Sequence, residues 1–302
     1  MLSPTHLEKL MLGLREIMDF SIMEEITLEA NPATFDLSKA RLFRDLGVTR
    51  VSLGIQSFSA PVLQTLGREH DPEQAIRSVE ILHEAEIPSI NIDLMFSIPG
   101  QTHLDWVSSL DQATALVPHH ISAYNLTYEE DTAFFQSLLA GEMQIDSDRD
   151  GDHFAIAHDR LTAVGYDHYE TSNYARPGHH STHNRGYWSG EDYLGIGPSA
   201  VSTLDAVRSK NISDTERYID MMHNIGHATA ESEILKAEDL RLERIALGLR
   251  TREGIAVNLL DEAGQDRAQQ LASMGLLEIC DRQIVVTRMG SALVDGIAGE
   301  IA

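Results

Sequence analysis

Three polar side chains stand toward the ends of short apolar runs: Glu29, Gln56 and Asp93. Two carboxylates accept hydrogen bonds and a carboxamide both donates and accepts, so the three together could ring a polar ligand. Arg68, between the second and third runs, carries a planar guanidinium that can clamp a carboxylate through two parallel N–H donors. Far downstream comes His183-Asn184-Arg185-Gly186-Tyr187-Trp188. An imidazole beside aromatic rings is either a metal ligand with a flat partner or a packed or surface histidine, and the residues alone leave both open. Cys280 is the one cysteine, so these residues cannot assemble a three-thiolate metal cluster.

The elements that must position these groups are legible from periodicity. Ser3–Met18 has helical spacing, with Leu7, Leu10, Met11, Leu14 and Ile17 behind a Ser3-Pro4 start. Strands are expected over Glu25–Asn31, Arg50–Ser57, Ile90–Met95 and His120–Leu126, with helices over Leu37–Leu46, Pro72–Glu86 and Thr102–Leu116 between them. Alternation with short connections is the pattern of right-handed βαβ units and a parallel sheet. Ile26, Leu28 and Ala30, then Val51, Leu53 and Ile55, then Ile90, Ile92 and Leu94 form apolar rows. The opposite rows carry Glu29, Ser52, Gln56, Asn91 and Asp93. A flat doubly wound sheet would be apolar on both faces. One polar face ending in carboxylates suits a curved, barrel-like sheet with a ligand at its C-terminal rim. The fourth strand does not sort cleanly, because Ser122, Tyr124 and Asn125 break the alternation.

Downstream, a helix is expected over Phe154–Val164 and a strand over Tyr166–Thr171. Residues 176–230 read as a connecting region and 231–302 as a separate module. There, helices over Ala237–Leu249 and Asp266–Met274 precede a hairpin of Leu276–Glu278 with Gln283–Thr287, the order of a winged-helix shape.

The formal charge of −24 repels phosphate backbones and anionic lipid, so nucleic acid is not an expected partner. The terminal module, with 13 acids and 8 bases, does not have the basic face of a DNA reader. A single cysteine fits a reducing compartment, no apolar run approaches the roughly 18–20 residues of a membrane span, and the start has no signal-peptide pattern. A cytoplasmic location is expected. Asp146-x-Asp148-x-Asp150-Gly151-Asp152 mimics half of a calcium loop, but Ala157 stands where the closing glutamate belongs, so a solvated acidic loop is the better reading.

Ordered blocks carry a resemblance. Thr27-Leu28-Glu29-Ala30-Asn31-Pro32, Ser52-Leu53-Gly54-Ile55-Gln56-Ser57-Phe58, Leu66-Gly67-Arg68, Asn91-Ile92-Asp93-Leu94-Met95-Phe96 and Ile98-Pro99-Gly100-Gln101-Thr102 are followed by Ser172-Asn173-Tyr174-Ala175 and Asp192-Tyr193-Leu194-Gly195. This series resembles the radical S-adenosylmethionine (SAM) family of oxygen-independent coproporphyrinogen oxidases, and most closely its haem-chaperone branch, HemW. The His183-Asn184-x-x-Tyr187-Trp188 block favours the chaperone branch. The resemblance implies an α/β fold, a parallel barrel of (β/α) type over residues 1–175, here incomplete, with SAM and a 4Fe-4S cluster as cofactors. It places Glu29, Gln56, Arg68, Asp93 and Thr127 on SAM-contacting positions. It makes His183 an axial ligand of haem iron, with Asn184, Tyr187 and Trp188 beside it and His179 or His180 as substitutes.

The family's CxxxCxxC loop and GGGTP segment, about 50 residues with their strands and helix, have no counterpart before Met1. Either Met1 is an internal methionine of a longer protein or the chain is a shortened, catalytically inactive relative. The first reading is preferred, because the break falls inside a structural unit. In either case the Glu25–Asn31 strand is expected to have a bare edge through which the chain could self-associate. The function implied is haem binding and delivery to haem-dependent proteins, which could include partners at a membrane surface. The alternatives are a coproporphyrinogen oxidase-like decarboxylase and a cluster-free interaction protein.

Overall fold

Alternating apolar and polar positions govern the first part of the molecule, and a computed structural model describes residues 2–128, 132–141 and 146–302. The chain divides into two compact units, Met1–Thr182 and His183–Ala302.

In the first unit α1 (Pro4–Ile17) starts where the Ser3 side chain accepts from the His6 N–H. It is followed by β1 (Thr27–Ala30), α2 (Leu37–Asp45), β2 (Arg50–Gln56), α3 (Ala60–Thr65), α4 (Pro72–Glu84), β3 (Ser89–Phe96), α5 (His103–Ala115) and β4 (His120–Asn125). Then come α6 (Ala133–Leu139), α7 (Ser147–Ala163), β5 (Asp167–Glu170) and β6 (Asn173–Ala175). Two helix starts are fixed by reciprocal capping, Asp71 with Gln74 on α4 and Thr102 with Asp105 on α5. Each cap satisfies amide groups that the first helical turn leaves without partners.

The strands form one six-stranded sheet in the order β1-β2-β3-β4-β6-β5. The first four are parallel, whereas β6 runs antiparallel to β4 and β5 antiparallel to β6. One sheet face is apolar: Val51, Leu53, Ile55, Ile90, Ile92, Leu94 and Ile121 have no exposed surface, nor do Phe43, Val79, Leu82, Trp106, Leu110 and Leu161 from the helices. Fully burying a Leu, Ile, Val or Phe side chain contributes about 1.5–3 kcal/mol, so this layer holds the unit together.

β4 alternates after all. His120, Ser122 and Tyr124 share the polar face, and Ile121 and Ala123 point into the core. Asn125 falls on the other side at the strand's end, where its amide donates to Asp150. The sequence hid this because the inward residues are polar groups satisfied by one another.

The acidic run is not a loop. Asp146 caps the Arg149 N–H, and Asp148 and Asp150 occupy the first turn of α7. Carboxylates there offset the partial positive charge of a helix N-terminus, which is why the helix begins at Ser147, seven residues before the apolar periodicity does.

The second unit contains α8 (Thr182–Trp188, entered one residue before its boundary), β7 (Val201–Leu204), β8 (Val207–Asn211), α9 (Thr215–Asn224) and β9 (Thr229–Ile234). It continues with α10 (Ala237–Gly248), β10 (Ile255–Ala256), α11 (Glu262–Ser273), β11 (Leu277–Cys280), β12 (Gln283–Val286) and α12 (Val294–Ile301). β7, β8 and β9 make one antiparallel sheet, and β10, β12 and β11 another. The second sheet packs with its helices around Ile245, Ile255, Leu271, Leu277, Ile284, Ile297 and Ile301. The helices over 237–248 and 262–273 and the 277–286 hairpin follow the expected order. Among the described residues no helix is long and apolar enough to cross a membrane.

Candidate functional site

The polar face of the first sheet is built in rows. Glu29, Ser52, Asn91 and His120 are successive register partners across β1–β4, and Asp93 pairs with Ser122 in the next row. The Asn91 amide nitrogen donates to Asp93 Oδ1 at 2.7 Å and to Ser52 Oγ at 2.6 Å, while the Ser52 hydroxyl donates to Asp93 Oδ2 at 2.9 Å. Burial raises the Asp93 carboxyl above its ordinary range. The Ser122, Ser52 and Asn91 hydrogen bonds oppose that rise, and the nearby Glu29 charge adds to it. Two carboxylates on one polar face, each feeling the other's charge, are suited to a cationic or hydroxyl-rich ligand.

Toward the C-terminal ends of β1 and β2 a second group gathers. The β2–β3 register slips between Leu53 and Gln56, and Gln56 takes a left-handed φ of 68°. Such a slip re-aims a side chain, and the strain of a left-handed glutamine is held by the surrounding strands. A Cβ on Gly54 would lie 3.1 Å from Gln56 Nε2 and 3.2 Å from Asn31 Oδ1, so the bare glycine is what lets both amides converge. Arg68 joins them by donating to Asn31 Oδ1 at 3.4 Å. Glu29 and Asp93 thus share the polar face from strands on either side of β2, and Arg68 reaches Asn31 beside Gln56. Thr127, after β4, is exposed between the buried Leu126 and the half-buried Tyr128, and among the described residues no hydrogen bond ties it to the other four.

Several participants were not singled out in the sequence. Arg50 is 4% exposed and donates to the His179 carbonyl at 3.2 Å. Burial lowers its pKa, while Glu25, Tyr169, Asp93 and Tyr124 act to hold it charged. Burial, then the Asp93 charge, push the Tyr124 phenol up to about 12. His120 has no exposed surface, and burial, helped by the Arg50 charge, drives its pKa well below the ordinary imidazole value. Asn31 had a signal, an amide at a strand stop before Pro32. The inward position of Arg50 had none, because long cations are rarely buried.

α8 carries the second set. Residues four apart share a helix face, so His183 pairs with Tyr187 and Asn184 with Trp188 on an adjacent face. The His183 and Tyr187 rings meet edge-on with centroids 4.8 Å apart, both are exposed, and Tyr187 continues edge-on to Tyr193 at 4.7 Å. Asn184 and Trp188 are half-buried. His179 and His180 belong to the other unit. There His179 lies 4.4 Å from the His119 ring, and His180 stacks on Tyr169 at 4.2 Å while contacting Asp167 at 3.0 Å.

With this geometry in place, comparison with known proteins is direct. The radical SAM superfamily model matches residues 2–113. The heme chaperone HemW of Lactococcus lactis is 32% identical over 285 residues, which is 94% of this chain and 75% of that protein. Its counterpart in Mycobacterium tuberculosis is 33% identical over 274 residues, 90% of this chain and 70% of that protein. In solved structures the fold matches coproporphyrinogen III oxidase (HemN) of Escherichia coli with a TM-score of 0.83, covering 99% of this chain and 74% of that one. The 23% identity makes that a likeness of fold. A polar strand-end rim, an exposed histidine–tyrosine helix and these relatives converge: the chain belongs to the HemW family of the radical SAM superfamily.

Proposed function

We propose that this protein binds haem on α8 and delivers it to haem-dependent proteins in the cytoplasm, with His183 as the axial ligand to iron. The observation that carries the reading is the exposed His183–Tyr187 edge pair, which presents an imidazole beside an aromatic ring on one helix face. It stands in a chain whose relatives at 29–33% identity are named heme chaperones. Asn184 and Trp188 back that face. Acceptors at a membrane surface are compatible with this reading only through protein contacts, since a charge of −24 is repelled by anionic lipid.

The sheet rim is assigned to SAM. Arg68 suits the methionyl carboxylate, Glu29 and Asp93 suit the ammonium or ribose hydroxyls, Gln56 can serve either, and Thr127 is placed beside the adenine. The residues present fit this group in chemistry: the Gln56 and Asn31 amides flank the small Gly54, the Arg68 guanidinium reaches Asn31 Oδ1, and the Glu29 and Asp93 carboxylates stand on the same polar face. When bound, SAM would supply a reactive sulfonium. They do not fit a 4Fe-4S cluster. Three thiolates are needed, and Cys280, exposed on β11, is the one cysteine in these 302 residues.

The deciding experiment is titration of the protein with ferric haem, followed at the Soret band, in wild type and His183→Ala. Stoichiometric uptake by wild type and a shifted band or weakened binding in the variant are expected. An unchanged band in the variant removes His183 from the reading, and no uptake by wild type removes haem.

A further inference from the structure

Haem brings two ionised propionates, and this chain has 47 acidic residues against 23 basic ones. An anionic ligand meets general repulsion on such a surface, so a site for it requires a local cation. Beside α8 there are two. The Arg250 guanidinium carbon lies 5.7 Å from the centroid of the Trp188 indole, a distance at which the cation is attracted to the ring face. Arg244, on α10, donates through Nη1 to the Trp188 carbonyl at 3.1 Å.

The two arginines differ in what else holds them. Arg250 is ion-paired with Asp295. Arg241, Arg208 and Arg267 in the same unit are likewise paired with Glu238, Glu243 and Glu300. Arg244 is exposed, and among the described residues no carboxylate lies within ion-pair distance of it. One of its five N–H groups is used by the Trp188 carbonyl, so four remain, twice what a bidentate carboxylate requires. The Trp188 Nε1–H is also buried without an acceptor among the described residues. Buried donors of that kind are uncommon enough to mark a place where another group belongs.

Resting on the haem reading of α8, we propose that Arg244 anchors a haem propionate beside the Tyr187–Trp188 step, while Arg250, stacked on the indole, keeps that ring in position. His183 then takes the iron and Arg244 a carboxylate, so the ligand is held at its centre and at its rim. This two-point arrangement selects iron porphyrins with free propionates over esterified ones. Arg244 also touches the last carbonyl of α8 and so could act purely as a helix cap. A cap supports any ligand of the helix equally, and the two roles separate on that point.

The test titrates wild type, Arg244→Gln and Arg217→Gln with ferric haem and with its dimethyl ester at fixed ionic strength, following the Soret band. Thermal melts confirm that each variant is folded. Arg217 lies on α9, outside the α8–α10 cluster, and controls for loss of one positive charge. The expected result is that Arg244→Gln weakens haem binding about tenfold, the loss of a charge-assisted hydrogen bond. Ester binding should stay unchanged, and Arg217→Gln should match wild type for both. Equal losses for haem and ester in Arg244→Gln would show a structural cap and overturn the proposal. So would no loss for haem, or an equal loss in Arg217→Gln. If wild type takes up no haem, the reading of α8 itself fails. Uptake sensitive to His183→Ala but indifferent to Arg244→Gln defeats the anchor alone.

Discussion

The Tyr169 phenol donates to Nε2 of His120 across 2.8 Å, and the contact completes a one-way chain of hydrogen bonds. Asn91 must turn its amide nitrogen toward the Asp93 carboxylate, which can only accept, so its oxygen faces His120 Nδ1 at 2.6 Å. The neutral His120 ring therefore carries its proton on Nδ1 and accepts at Nε2. Tyr169 Oη in turn accepts from the Ser181 N–H at 3.2 Å. Every donor in the sequence Ser181, Tyr169, His120, Asn91 points toward Asp93. The chain thus links the sheet rim to the residues just before α8.

Removing the phenol hydroxyl tests this order. Tyr169→Phe leaves a buried imidazole nitrogen and a buried backbone N–H without partners, which costs about 1–3 kcal/mol for each such group. The urea midpoint is expected to fall with an unchanged slope. A loss below about 0.5 kcal/mol, the range of ordinary surface substitutions, would mean that the chain is not as drawn.

Asp93→Asn addresses the rim. The substitution removes the acceptor on which Ser52 and Asn91 converge and the charge assigned to the SAM ammonium or ribose. SAM affinity, read by calorimetry, is expected to drop about tenfold or more, the size of a charge-assisted hydrogen bond. Haem uptake by α8 should be retained. SAM binding of undiminished strength in the variant would remove Asp93 from the site.

Acid should weaken the fold in a defined window. Burial lowers His119, His153 and His168 to about 4 and His120 well below the ordinary value. The unfolded chain therefore binds more protons than the native one below about pH 6.5, and stability present above that value is lost as pH falls toward 4. Asp93 acts in the opposite sense, since a raised carboxyl stabilises below its unfolded value of 3.8 and loses that as pH rises. It is one group against six, since burial lowers His70 and His179 as well. Urea midpoints at pH 7.5, 6 and 5 should decrease in that order, and equal midpoints would sink the account.

The β1 edge predicts association. Among the described residues β1 pairs only with β2, and its outer backbone groups can template another strand. Exposed Leu10, Leu12, Ile17 and Ile22 lie on the flanking segments. The 302-residue chain is expected to run as an oligomer in light scattering, and Thr27→Pro, which removes one donor from β1, should reduce its mass. A sharp monomer peak at 33.5 kDa for the wild type would refute this.

Much of the first unit was legible because burial imposes a period. β1 to β4 and helices α1, α2, α4 and α5 follow from apolar spacing and caps, and the polar rows of Glu29, Ser52, Asn91 and Asp93 fall where alternation places them. α3, the sheet of β7, β8 and β9, and α8 itself left little trace. α8 has no buried side chain, so no core stripe marks it. β5 lies within the expected strand Tyr166–Thr171, but its antiparallel return through β6 was hidden, since β6 is only Asn173–Ala175.

Local order in the residues was enough to determine which side chains face inward, because strand parity and helix spacing are properties of a few neighbouring positions. The blocks that mark the HemW family also needed nothing beyond the linear chain. Only the folded molecule could decide that Arg50 and His120 lie within the polar face, that Asn31 joins Arg68 to Gln56, and that Arg244 reaches the end of α8. The hydrogen bonds of His120 to Asn91, Arg68 to Asn31, Arg244 to Trp188 and Arg50 to His179 join residues 29, 37, 56 and 129 positions apart, and no local period encodes such distances. They exist because packing closes the chain on itself and leaves each buried polar group only the partners that the fold happens to place within reach.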